Sequence, residues 1–252
     1  MSIHLVVYSN NEPFDTTKRL TIESIHEYTQ KQVIIHDYNL EKIKQKEWFK
    51  YIKDLPSIHR NGRRDGYYNN WKAFIIKDVY DCMKDGDILY YVDSSQYFRT
   101  GFTENIDIMC DIVNEILCIA GSVGDDIQNN SYECCNNIMI WNIIIPDKDN
   151  NENISKRHVL NSWFLFKKCD SNNAFINDWV YFSCYTDENA IYPLVTYHHT
   201  ADQSIFNILV IKHNMHVFYD KSIKHDNNKN KNLALHMVNS QHDRIPYLFI
   251  KL

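Results

Sequence analysis

The feature that most constrains the fold is the alternation of short apolar runs with segments of helical periodicity. Residues 3–8 and 88–92 are runs of mostly apolar residues, which is typical of strands buried on both faces of a parallel sheet. In the segment that begins at Trp71, apolar residues recur at three- and four-residue steps, which predicts a helix. The alternation predicts an α/β fold with a mixed, mostly parallel sheet flanked by helices.

The same patterns predict the individual elements. Strands are predicted over residues 3–8, 32–36, 88–92, 138–145 and 163–166, and the tail has one apolar run at 247–250. Helices are predicted over residues 17–28 (capped by Thr16 or Thr17), 41–53, 71–83, 104–117 and 202–212, with another striped by Phe175, Trp179 and Phe182. We find no internal repeat and no clean linker, so the 252 residues are predicted to form a single domain.

Charge and cysteine usage limit the classes of partner and compartment. The net charge of −5 argues against a nucleic-acid partner, which requires a basic surface. The seven cysteines form no C-x-x-C pair and fit a reducing compartment. Because no apolar run approaches the length of a membrane span, we expect a soluble, cytoplasmic protein.

The ends of the predicted strands indicate where a ligand would bind. In α/β sheets ligands bind outside the carboxyl ends of the strands, here at Tyr8, Ser9, His36 and Asp37 and at residues 93–95, where Asp93 is the carboxylate that closes an apolar strand. A carboxylate in this position can hold a divalent cation that neutralises a diphosphate. It can equally cap the following turn through Ser95, and strand position alone leaves both interpretations open.

Four segments in order carry a family resemblance. Residues 66–72 read Gly-Tyr-Tyr-Asn-Asn-Trp-Lys, and after a helix residues 85–94 read Asp-Gly-Asp-Ile-Leu-Tyr-Tyr-Val-Asp-Ser. With residues 161–167 and 202–206, this set resembles a glycosyltransferase-like family of the GT-A fold. The resemblance implies transfer of a sugar from a UDP- or GDP-linked donor to a hydroxyl of a glycan, a protein or a small molecule. It also implies a donor-nucleotide half at about residues 1–100 and an acceptor half at about 101–252.

The resemblance further implies roles for particular residues. Asp93 would lie near the diphosphate with Mn²⁺ or Mg²⁺, and Asp202 and Gln203 would lie beside the reacting centre, Asp202 as base or charge stabiliser. Lys72, Arg63 and Arg64 are cations that can contact phosphate oxygens, and for Arg63 a solvated basic loop is the better explanation. The donor-binding residues that we expect are Tyr8, Ser9, Trp71, Lys72, Asp93 and Ser95.

Two positions depart from the family pattern. Ala73 stands where the family has Pro, and Ser95 stands where a second metal-binding Asp would be. A hydroxyl is a weaker ligand than a carboxylate for a hard cation. Metal binding at Asp93 is therefore expected to be weak, to be absent, or to recruit a histidine of the tail, namely His225, His236 or His242.

Two alternative functions remain open. The missing second Asp favours a non-catalytic module that binds a sugar or a nucleotide on the same fold. His198 and His199, just before Asp202, are residue types that bind metal in hydrolases, but they precede the predicted helix and share no helical face. A metal-dependent hydrolase is therefore the weaker alternative.

Overall fold

The computed structural model of the chain describes most of the amino-terminal half and several later segments. The described residues are 1–10, 12, 14–27, 29–53, 71–94, 96–98, 105–115, 118–122, 144–145, 159–184, 201–215, 234–238 and 245–251.

Within these ranges strands and helices alternate, as predicted. The strands are β1 (Ile3–Tyr8), β2 (Val33–Tyr38), β3 (Ile88–Asp93), β4 (Gln96–Phe98), β5 (Cys118–Ser122), β6 (Val159–Lys167), β7 (Ala234–Val238) and β8 (Ile245–Lys251). The α-helices are α1 (Phe14–Ser24), α2 (Leu40–Lys44), α3 (Trp71–Cys82), α4 (Asn105–Glu115), α5 (Asp170–Ser183) and α6 (Ala201–Lys212).

The described strands form a central sheet and a smaller one. The central sheet has the order β2-β1-β3-β6-β5, and the smaller sheet has the order β4-β8-β7. β1 pairs in parallel with both β2 and β3, whereas β6 runs antiparallel to β3 and to β5. β6 is thus the strand of reversed direction in the central sheet, which confirms the predicted mixed, mostly parallel arrangement.

Both faces of the central sheet are covered, because alternate residues of each strand point to opposite sides. On one face, buried side chains of β3 and β6 such as Tyr91 and Phe164 pack with α3, α5 and α6. On the other, Tyr90 and Trp163 pack with side chains of α4. Burial on both faces explains why these strands are apolar at nearly every position.

An aromatic cluster fixes α5 and α6 against β6. Phe206 of α6 is fully buried, and its ring centroid lies 5.3 Å from that of Phe164 and 5.0 Å from that of Trp179. Phe166 and Phe175 complete the cluster. This packing determines where the first turn of α6 lies relative to the sheet, and that turn carries Asp202.

The start predicted for the first helix was wrong. α1 begins at Phe14, so Thr16 and Thr17 lie inside the helix and neither caps it. Its buried residues include Thr17 and Lys18, so the inward face is largely polar and apolar periodicity gave no guide to its start. The helix ends at Ser24, and a 3₁₀ turn follows over Ile25–Glu27.

The helix predicted over residues 41–53 is also corrected. α2 ends at Lys44, and a separate 3₁₀ turn covers Glu47–Tyr51. The last bonds of α2 are of the tighter i to i−3 type, such as that from the Lys46 N–H to the Ile43 carbonyl at 3.1 Å. This break brings Trp48 against Phe74, with ring centroids 5.1 Å apart.

Further differences concern the strands. β2 extends to Tyr38, two residues past the predicted end. Ile144 and Ile145 are not in a strand, contrary to the strand predicted over 138–145, and the rest of that stretch lies outside the described residues. The short strands β4, β5 and β7 were not predicted, because three to five residues without a long apolar run give little sequence signal. None of the helices in the described part of the chain is long and apolar enough to cross a membrane.

Candidate functional site

The three parallel strands of the central sheet end side by side. In the register of the sheet, Tyr8 at the end of β1 lies beside Tyr38 of β2 and beside Asp93 of β3. Because β6 runs in the opposite direction, its amino-terminal part lies at the same edge, with Trp163 beside Val92. This edge is where the sequence predicted ligand binding, and it is called the strand-end site below.

Lys72 lies at the centre of the strand-end site. It is in the first turn of α3, and its side chain is 3% exposed. Its Nζ is 3.2 Å from Oδ1 of Asp93 and 3.3 Å from Oδ2 of Asp202. Burial by itself would lower the pKa of Lys72, but the two carboxylates outweigh burial and raise it. The lysine is therefore a charged ammonium that joins β3 to α6.

Asn161 of β6 completes the shell around this ammonium. Lys72 Nζ donates to the Asn161 carbonyl oxygen at 3.1 Å and lies 3.4 Å from its Oδ1, while Asn161 Nδ2 donates to Oδ2 of Asp202 at 2.8 Å. Asn161 is 4% exposed. Sequence reasoning gave it no role, although a polar residue two positions before an apolar strand segment is a signal that could have marked it.

The two carboxylates of the site differ in accessibility. The Asp93 side chain is 31% exposed, whereas that of Asp202 is 6% exposed. The Tyr91 hydroxyl donates to Oδ1 of Asp93, the same oxygen that Lys72 contacts. Oδ1 is thus held from inside the protein, and Asp93 is the carboxylate that a ligand at the edge of the sheet can reach.

Tyr91 serves the site as a donor. Burial raises the pKa of its hydroxyl well above the ordinary value, and the charge of Asp93 raises it further. The phenol therefore stays protonated across the physiological range and continues to donate to Asp93. Its ring also lies against the ammonium, with Lys72 Nζ 5.0 Å from the ring centroid, a distance at which cation–π attraction operates.

Aromatic stacking connects the end of β1 to the start of α3. The rings of Tyr8 and Trp71 have centroids 3.8 Å apart and planes inclined by 30°, and both residues are buried. Next to Tyr8, the Ser9 hydroxyl donates to Asp15 of α1, and the Ser9 N–H donates to the Tyr38 carbonyl at 3.3 Å. The stack and these bonds anchor the ends of β1 and β2 beside Lys72.

The structure brings together most of the residues predicted for the site. Tyr8, Trp71, Lys72, Asp93 and Asp202 belong to one connected group of contacts. Ser9 is next to this group, and Gln203 follows Asp202 in α6. Ser95, the Arg63–Arg64 pair, the His198–His199 pair, His225 and His242 lie outside the described residues, and His236 lies in β7.

The family resemblance implies a divalent cation at Asp93, and of the tail histidines His225, His236 and His242 the described residues include His236. Within the described ranges no group of three or more His, Cys, Asp or Glu residues is placed to hold a metal ion. Asp93 and Asp202 both face the Lys72 ammonium, which occupies the position between them. A cation bound by both carboxylates would therefore meet a positive charge.

Comparisons with known proteins find likeness in solved structures. No protein-family model and no curated protein matches the sequence. The fold is similar to that of mouse xyloside xylosyltransferase 1 in its apo form, with a TM-score of 0.48 and 8% identity over 87% of this chain and 85% of that one.

Two further solved structures are similar at the same level. One is a glycosyltransferase involved in the glycosylation of the major capsid of PBCV-1, with a TM-score of 0.47 and 9% identity over 87% of this chain and 82% of that one. The other is the galactosyltransferase LgtC in complex with donor and acceptor sugar analogs, with a TM-score of 0.41 and 10% identity over 82% and 70%.

Proposed function

We propose that this protein transfers a sugar from a nucleotide-diphosphate sugar, linked to UDP or GDP, to a hydroxyl acceptor. The observation that carries the proposal is the partly exposed Asp93 at the carboxyl end of β3, held through Oδ1 by Lys72 and Tyr91. A fixed carboxylate at this edge of a parallel sheet is suited to receive the hydroxyl groups of a bound sugar nucleotide.

The surroundings of Asp93 support the same ligand class. Tyr8 is the strand partner of Asp93, and its ring stacks on that of Trp71. Ring faces of this kind stack on bases and on the C–H surfaces of sugars. Both rings are buried in their mutual stack, so we expect a nucleoside to contact the end of this stack. We assign Ser9 and Ser95 to the donor and Gln203 to the neighbourhood of the reacting centre, as the sequence predicts.

The environment of Asp202 favours a second candidate function, a module that binds a sugar nucleotide without turning it over. Asp202 is buried and is held by both Lys72 and Asn161, so no acceptor hydroxyl reaches it directly in this conformation. We therefore assign it the task of fixing and compensating the charge of Lys72. A base for the acceptor would then have to come from elsewhere in the chain.

The test is a release assay with a panel of UDP- and GDP-sugars, in which the free nucleotide diphosphate is measured with and without a mixture of hydroxyl acceptors. We expect one donor to be consumed, and we expect Asp93→Asn to lower kcat/KM at least 100-fold because a held carboxylate is lost. Asp85→Asn is the matched control, since Asp85 is exposed at the opposite, amino-terminal end of β3.

The possible results distinguish the transferase from the binding module. Donor-specific release that falls in the Asp93 variant and not in the Asp85 variant supports the transferase. Saturable binding of a nucleotide without release supports the binding module. Neither binding nor release with any donor contradicts both.

A further inference from the structure

Lys72 fills the space between the two carboxylates of the strand-end site. We propose that its ammonium is the resident cation of this site, and that Asp93 and Asp202 act without a divalent metal. The inference rests on the proposed function, since it concerns how the same site receives a sugar nucleotide. In this proposal the Lys72 ammonium takes the place of the Mn²⁺ or Mg²⁺ that the family resemblance implies at Asp93.

The hydrogen-bond capacity of the ammonium is fully used. An ammonium has three N–H donors, and here it has acceptors in Asp93, Asp202 and the carbonyl of Asn161, all at 3.1–3.3 Å. A divalent cation needs carboxylate oxygens at about 2.0–2.6 Å. An ion at that distance from both carboxylates would lie in the space that the ammonium holds. An ion bound by Asp93 alone would share that carboxylate with the ammonium, so electrostatic repulsion opposes metal binding in either position.

Displacing the Lys72 ammonium to make room for a metal ion would be unfavourable in free energy. Its side chain is 3% exposed and comes from the first turn of a helix whose residues are largely buried. Moving the ammonium away from its partners would leave a buried charge uncompensated, which is strongly destabilising.

The role of Asp93 toward the ligand follows from this arrangement. Oδ1 of Asp93 is taken by Lys72 and Tyr91, and the side chain remains 31% exposed. A carboxylate in this state accepts hydrogen bonds from hydroxyl groups. We therefore assign Asp93 to hydroxyls of the donor sugar or of the ribose, and not to a metal-bound diphosphate.

The experiment is a titration of the full chain with Mn²⁺ alone, in which free Mn²⁺ is followed by electron paramagnetic resonance and thermal stabilisation is followed in parallel. The variants are Asp93→Asn, Lys72→Met, which keeps the apolar stem without the charge, and Lys72→Met combined with Asp93→Asn. Lys77→Met is the matched control, because Lys77 lies on the same helix in an exposed ion pair with Asp81.

The wild type and Asp93→Asn should bind Mn²⁺ equally weakly. Lys72→Met should bind one Mn²⁺ at least tenfold more tightly than the wild type and be stabilised by it, and the double variant should lose this gain. Mn²⁺ binding to the wild type that Asp93→Asn abolishes would overturn the proposal, as would a folded Lys72→Met protein with no gain. If Lys72→Met does not fold, Lys72→Arg, which keeps the positive charge, is used in its place. Mn²⁺ binding that depends on Asp93, in the wild type or in Lys72→Arg, would contradict the proposal.

This titration is independent of the proposed function, because it uses the metal without a nucleotide. Donor binding is measured separately, with UDP- and GDP-sugars in the presence of EDTA or Mn²⁺. A donor that binds equally well in both conditions supports the inference, and a donor that needs Mn²⁺ contradicts it. If no donor binds, the proposed function fails while the Mn²⁺ result for Lys72 stands.

Discussion

A single residue, Lys72, illustrates how a charge is kept inside this protein. An isolated ammonium transferred out of water is very costly, so a buried lysine normally loses its proton or finds partners. Lys72 has two carboxylates and an amide within hydrogen-bonding reach, and these compensate for its burial. The ammonium, the two carboxylates and the amide stabilise one another. Removing one of these groups would leave its partners buried and without compensation.

Asn161 provides the residue-scale prediction. Asn161→Ala removes the amide that donates to Asp202 and the Oδ1 near Lys72, while the backbone carbonyl stays in place. We expect a loss of about 1–3 kcal/mol in the free energy of unfolding, the cost of leaving buried polar groups unsatisfied. Urea denaturation measures it, with Asn114→Ala on the exposed side of α4 as the control.

A loss for Asn161→Ala no larger than that of Asn114→Ala would show that the amide does not stabilise the ion cluster. If the Asn161→Ala protein keeps its fold but binds the donor less tightly, this would further indicate that the ion cluster positions Asp93.

At the scale of the element, α2 shows how one polar side chain defines a short helix. A five-residue helix has little stability of its own, because nucleating the first turn is unfavourable. Asn39 precedes it in an extended conformation, and its Oδ1 accepts from the Lys42 N–H at 2.9 Å. Ile43 is the buried residue that holds the helix to the core.

The corresponding prediction is a substitution of the cap. Asn39→Ala leaves the Lys42 N–H without its acceptor, and we expect a loss of about 1 kcal/mol in the free energy of unfolding. Asn39→Asp keeps the acceptor oxygen and should retain most of the stability. Equal melting temperatures for the wild type and the alanine variant would contradict a capping role.

At the scale of the whole molecule, two histidines connect neighbouring strands away from the strand-end site. Nδ1 of His4 and Nε2 of His36 are 2.9 Å apart, and Nε2 of His4 is 3.4 Å from Asp87. Burial lowers the pKa of His36 to about 4, with a further lowering from His4 and from Lys46 and an opposing effect of Asp78. Burial also lowers the pKa of His4, against the influence of Asp87.

This pair predicts a dependence of stability on pH. The unfolded chain binds a proton at His36 near its ordinary pKa of about 6.5, whereas the folded chain does so near 4. Between these values the unfolded state carries more protons, so stability falls as the pH falls. We expect a loss of about 2–3 kcal/mol from pH 7 to pH 4, measured by urea denaturation across that range.

The control for this prediction compares His36→Gln with His26→Gln. His26 lies exposed in the 3₁₀ turn after α1, so its replacement should leave the slope unchanged, whereas His36→Gln should flatten it. Asp87 acts mainly below this window. Burial raises its pKa, but hydrogen bonds from the backbone N–H groups of Ser2 and Lys84 outweigh burial and lower it, so most of its contribution is lost at more acidic pH. An unchanged slope in His36→Gln would remove His36 as the origin of the effect.

The sequence by itself determined the class of fold and the edge of the sheet that carries the site. Strands such as β1 and β3 are apolar at nearly every position because both of their faces are buried, and this pattern is local enough to be seen without a structure. Asp93 could be singled out for the same reason, since a carboxylate directly after a buried strand stands out in the sequence.

The tertiary structure alone decided what surrounds Asp93. Lys72 and Asn161 are 89 residues apart in sequence, and Asp202 is a further 41 residues along. They meet because β6 runs antiparallel to β3 and because the aromatic cluster holds α6 against β6. No local pattern records such contacts, since each residue alone would be equally suited to solvent. Whether a carboxylate at the strand ends faces a metal or an ammonium therefore depends on packing between distant segments.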